Sequence, residues 1–167
     1  MKKIIAVTQK EFNSFFSSPI AYIFLGCFAL VAMFIFFTVD TFFARNIADL
    51  RPLFNSLPLI LIFLVAAISM RMWSEEKKLG TIEFLFTCPV KVWQLVIGKF
   101  LACLLLVAIG LFLTISLPIT VSYLGEVDWG PVWGGYIAAL FLAASYIALG
   151  LFISAQTENQ ILSLIHI

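Results

Sequence analysis

Charged residues divide this chain into four long apolar runs. Residues 20–39 carry no Asp, Glu, Lys or Arg; at the helical rise of about 1.5 Å per residue they reach about 30 Å, the thickness of a bilayer's hydrocarbon core. Residues 53–70 form a second run, bracketed by Arg51 and Arg71 and close to the lower length limit for crossing, and residues 100–124 and 130–157 form a third and a fourth. None of the runs alternates apolar and polar positions as barrel strands do. The pattern therefore predicts an all-α, polytopic transmembrane bundle whose spans hold no ionisable residue between their ends.

The segment before the first run has a different pattern. Ile4, Ile5, Phe12, Phe15 and Phe16 gather mainly on one helical face, with Lys3, Gln9, Lys10, Glu11, Asn13 and Ser14 as the polar complement. This predicts an N-terminal helix lying in the membrane surface, followed by a turn at Pro19 into the first span. The interruption at Thr8 to Glu11, and the length of the run beyond it, argue for a retained segment rather than a cleaved signal. Trp73, Trp93, Trp129 and Trp133 fall at or near span ends, where indole rings anchor at headgroup level.

Composition excludes the alternative of buried helices in a soluble core. With 63% hydrophobic and 11% charged residues, and a mean hydropathy of +1.11, too few polar residues remain to cover a water-facing surface. The basic residues also orient the spans. Lys2, Lys3 and Lys10 precede the first, and Arg71, Lys77, Lys78, Lys91 and Lys99 lie between the second and third. The other two connections carry either Arg45 and Arg51 alone, or Glu126 and Asp128 with no basic residue. The positive-inside rule then places the N-terminus and the middle loop in the cytoplasm.

Candidate chemistry is sparse. Cys27, Cys88 and Cys103 lack metal-binding spacing and read as small apolar packing residues, and His166 has no partner ligand. Glu126 and Asp128 sit among glycines in what reads as a solvated turn. No phosphate-binding GxxxxGK[ST] loop is present, since Gly98 and Lys99 are followed by Phe100. An ATPase activity in this polypeptide, a proton relay and an intramembrane enzyme are thereby disfavoured.

The informative stretch is the loop 71–99. A charged block, Glu75, Glu76, Lys77 and Lys78, precedes a short apolar helix that Thr81 caps, with Gly80 allowing the turn before it and Pro89 ending it by restricting Cys88. Ile82, Phe84, Leu85 and Phe86 give this helix an apolar surface that needs lipid, the bundle or a soluble partner to cover it. Physics alone leaves two readings open: a docking knob with Glu83 at its polar rim, or an interfacial helix resting on headgroups.

The blocks SEEKKLGTIEFLFTCPVKVWQLVIGKF (74–100), GEVDWGPVWGGYIA (125–138) and ALGLFISAQTENQI (148–161) resemble the type-2 permeases of ATP-binding-cassette (ABC) transporters, especially a bacterial branch associated with gliding motility. The resemblance implies a six-helix permease domain of an exporter in the bacterial inner membrane. It would pair with a second permease subunit, identical or different, and with ABC ATPase subunits that use ATP; no cofactor would be bound directly and no nucleic acid involved. The family's coupling helix matches the 75–89 region, so Glu75, Glu76, Gly80, Thr81, Glu83, Phe84 and Pro89 are carried over as the ATPase-coupling residues. By this likeness residues 1–161 hold four of six expected spans, and LSLIHI at 162–167 departs from the family pattern as a non-native end would. The competing expectation is a four-span scaffold that recruits a cytoplasmic protein without transport.

Overall fold

The computed structural model describes residues 2–39, 49–70, 72, 73, 76, 80 and 91–156, and all secondary structure among them is helical. Helix α1 spans Lys2–Ser17 and α2 spans Ile20–Phe34, continuing as a π-helical turn over Ile35–Val39. Helix α3 is Arg51–Ser69, α4 Val92–Thr114, α5 Ser116–Leu124 and α6 Trp129–Gln156. Four stretches are long and apolar enough to cross a membrane: Ala21–Val39, Arg51–Ser69, Val92–Leu124 (α4 with α5) and Trp129–Gln156.

Local chemistry accounts for the helix boundaries. Pro52 stands in the first turn of α3, where its missing N–H costs nothing. At the start of α4 the Gln94 side chain accepts from the Lys91 backbone N–H at 3.2 Å, which fixes the beginning of the helix ahead of its apolar body. Pro118 cannot donate to the Thr114 carbonyl four residues back, and its ring crowds that carbonyl, so the third span breaks at Ile115 into α4 and α5. Gly80, with φ of +67°, takes the left-handed conformation expected of a turn ahead of the loop's apolar stretch.

The four spans pack as a diamond. Helices α2 and α6 each lie against both α3 and α4, while α1 lies mainly along the start of α4. Phe24, Phe28, Ala32 and Phe36 recur every four residues along the inner side of α2 and its π-helical continuation. Small residues set the close approaches. A Cβ on Gly110 of α4 would lie 3.3 Å from Phe28 Cδ1, and one on Gly135 of α6 would lie 2.6 Å from the Phe54 ring of α3. In lipid such fits, rather than the hydrophobic effect, hold helices together. The outer sides carry Leu30, Phe63, Phe112 and Phe141, each about 70% exposed, one from each span. Water could not solvate this much apolar surface, so lipid is its natural cover.

Four expectations are corrected. The helix bearing the third apolar run begins at Val92, eight residues before position 100, so Lys99 lies inside a spanning helix and not at its edge. Glu11, grouped above with the polar side of the N-terminal helix, is buried together with Phe15, whereas Ile5 is exposed, because α1 turns that side toward α4. Trp73 is buried rather than anchored at an interface, in contrast to the exposed Trp93, Trp129 and Trp133. Of the cysteines, Cys103 packs inside the bundle as expected, but Cys27 faces outward.

Candidate functional site

Helix α1 and the residues that follow α3 converge on one buried ammonium near the start of α4, that of Lys99. Gly98 makes the convergence possible: it carries no Cβ where Val7 of α1 presses against α4, so the two backbones come close and Lys99, one residue on, lies beneath α1. Lys99 is 1% exposed. Its Nζ lies 2.8 Å from Glu76 Oε1, 3.2 Å from the Met72 carbonyl oxygen and 3.4 Å from Glu11 Oε1. The Trp73 ring sits beside it, its centroid 5.0 Å away.

Each of these neighbours has a physical reason to be there. A buried ammonium is tolerated only when its charge is matched and its three N–H donors are met. Lys99 donates to the Glu76 carboxylate and the Met72 carbonyl, Glu11 adds a second negative charge within ion-pair distance, and the electron-rich indole face adds a further favourable contact. Glu11 is also shared outward, since Lys10 Nζ, on a largely exposed side chain, lies 3.4 Å from the same Oε1.

A second contact joins α6 to the same segment. The buried Ser154 hydroxyl donates to the Met70 carbonyl at 2.8 Å and accepts from the Trp73 backbone N–H at 3.2 Å. Met70 directly follows α3, so this side chain of another helix serves the polar backbone groups that a helix end leaves over. The beginning of the loop is thus fastened to α4 by Lys99 and to α6 by Ser154.

Toward the other end of the bundle lies a smaller polar contact. Thr114 donates to the Leu111 carbonyl at 2.7 Å, which leaves the Tyr136 hydroxyl as donor in their 3.2 Å bond. The Phe54 ring meets Tyr136 edge-on, with centroids 5.3 Å apart.

Among the sequence-predicted coupling residues, Glu76 is part of the Lys99 cluster and Gly80 makes the left-handed turn. Glu75, Thr81, Glu83, Phe84 and Pro89 lie outside the described residues, as do the predicted coupling helix itself, Cys88, His166 and residues 162–167. Reading the sequence missed Glu11, Lys99 and Ser154. A signal for Lys99 was present: residues 92–98 are mostly apolar and hold no proline and no charge before the third apolar run, so a span interrupted by one lysine was an alternative to a span that started after it.

Among known families, the one described as ABC-2 family transporter protein has a sequence model that matches residues 5–165 of this chain. No curated protein and no solved structure matches it significantly.

Proposed function

The chain belongs to the ABC-2 family of transporter proteins and is a multi-pass membrane permease component, and from that premise we propose that it couples an exporter's translocation path to a separate ABC ATPase through the 75–89 loop. The family works with an ATPase of that kind. The single observation that carries the reading is the fastening of the loop's first residues to two different spans, by Lys99 to α4 and by Ser154 to α6. A loop that only connected two helices would need neither a buried ion pair nor an interhelical hydroxyl. One that passes force from a soluble motor to the spans needs both ends of such a linkage.

In this reading the N-terminus and the loop face the cytoplasm of a bacterial inner membrane. Phe84 contacts the ATPase together with Glu75, Thr81 and Glu83, and a second permease subunit completes the path. Closure of the ATPase pair on ATP pushes the loop. Because the loop base is held by α4 and α6, the push re-packs these helices against α2 and α3 and alternates the opening from one side to the other. Family membership disfavours the scaffold alternative, which would leave transport out.

The test is a pull-down of the full chain, solubilised from its native membrane, comparing wild type with Glu83→Arg and Phe84→Asp. An ATPase bearing a phosphate loop should accompany wild type and be lost or sharply reduced with both variants. If wild type brings down no such ATPase while other membrane complexes survive the same treatment, the coupling role is refuted.

A further inference from the structure

One buried lysine needs one counter-ion, yet Lys99 has two, on elements far apart in sequence. Glu76 belongs to the loop base and lies closer, at 2.8 Å; Glu11 belongs to α1 and lies at 3.4 Å. If only Glu76 were present, any displacement of the loop would strand a charge in the bundle, a cost steep enough to hold the loop in place. With Glu11 on the other side, Lys99 remains paired when Glu76 leaves. Lys10 then sets how strongly Glu11 is available, because it draws on the same carboxylate oxygen from the surface.

We infer that Glu11 is the standby counter-ion of Lys99, which lets Glu76 and the loop base move away from α4 without exposing an unpaired buried charge. This deepens the coupling role proposed above and rests on it for its purpose, though not for its chemistry. It makes α1 a working part of the permease. Glu11 is a positioning residue, acting through Lys99 on the freedom of the loop.

The proposal predicts a sign that a merely structural contact would reverse. Hydrogen exchange is followed at the Trp73 amide, which donates to Ser154, in the full chain reconstituted in lipid nanodiscs. Glu76→Gln should speed its exchange, as loss of any contact to the loop base would. Glu11→Gln should slow it about tenfold, because Lys99 then depends on Glu76 alone; couplings within one ion-pair network reach this size. Lys10→Gln, at the exposed surface, should speed it by freeing Glu11 for Lys99, and Glu11→Asp should return it toward wild type.

Faster or unchanged Trp73 exchange in Glu11→Gln would overturn the proposal, and so would a shift of Lys10→Gln in the same direction as Glu11→Gln. In the complex co-purified from native membrane, Glu11→Gln should keep the ATPase bound but lower its ATP turnover; unaltered turnover counts against the proposal. Absence of an ATPase from the wild-type preparation would sink the coupling role while leaving the exchange result to decide the counter-ion.

Discussion

Val7 lies so close to Gly98 that a Cβ built on the glycine would fall 2.5 Å from Val7 Cγ1 and 2.8 Å from its Cβ. This contact joins α1 to the third span and sets the depth at which Lys99 meets Glu11. Gly98→Ala should force the helices apart and destabilise the protein by about 1–3 kcal/mol, the usual cost of overpacking, despite alanine's better helix propensity. Val7→Ala in the same chain removes the nearer atom and leaves the 2.8 Å one, so it should restore part of the loss. Thermal unfolding in detergent of the two variants checks both statements.

Lys99→Met removes the buried ammonium that Glu11 and Glu76 share. The expected loss is about 3–5 kcal/mol, as for removal of one member of a buried ion pair. Adding Glu11→Leu and Glu76→Leu takes the buried charge away altogether and should recover most of that stability, since an apolar replacement of a buried ion cluster is often neutral or better. The comparison of single and triple variants in chemical denaturation measures it. A triple variant no more stable than the single one would mean that the cluster stabilises by more than mutual neutralisation.

Ser154→Ala deletes the hydroxyl that serves both Met70 and Trp73. Removal of an acceptor from a buried donor costs about 1–3 kcal/mol. The loss should be local, appearing as faster proteolysis within the loop 71–90 before any change in global unfolding. Ser154→Cys, similar in shape but a weak acceptor, should fall between wild type and alanine.

The Thr114–Tyr136 hydrogen bond should matter much less than its buried position suggests. Hydroxyl bonds between membrane helices average about 0.6 kcal/mol, because the separated helices find other partners. A double-mutant cycle with Thr114→Val and Tyr136→Phe should therefore give a coupling below about 1 kcal/mol, read from unfolding midpoints. A value several times larger would identify this pair as a principal clasp between α4 and α6.

How much of this was legible in the sequence depended on how far each charge lay from its partner. The spans were legible because a bilayer imposes length and apolarity on each one separately, and residues 20–39 satisfy both without reference to the rest of the chain. The start of the third span was not, because a reading by hydropathy ends a span at a charge. Lys99 does not end the helix: its charge is covered by Glu11, 88 positions earlier, and by Glu76, 23 earlier. Trp73 was misplaced for the same reason, its burial being decided by Lys99 and by Ser154 on another helix. Glu76 and Gly80 were singled out, one by its charged block and the other by its conformational freedom, but neither pointed to the lysine that organises the cluster.

The interruption at Ile115 has a mechanical meaning. A continuous helix of 33 residues would be a single stiff rod, and any tilt imposed at Lys99 would reappear undiminished at Leu124. With Pro118 withholding a rung of the hydrogen-bond ladder, the nine residues of α5 are seated on the bundle chiefly through Leu117, Pro118 and Val121. The third span is therefore built as two helical pieces in series, a long one that carries Lys99 and a short one that ends at Leu124.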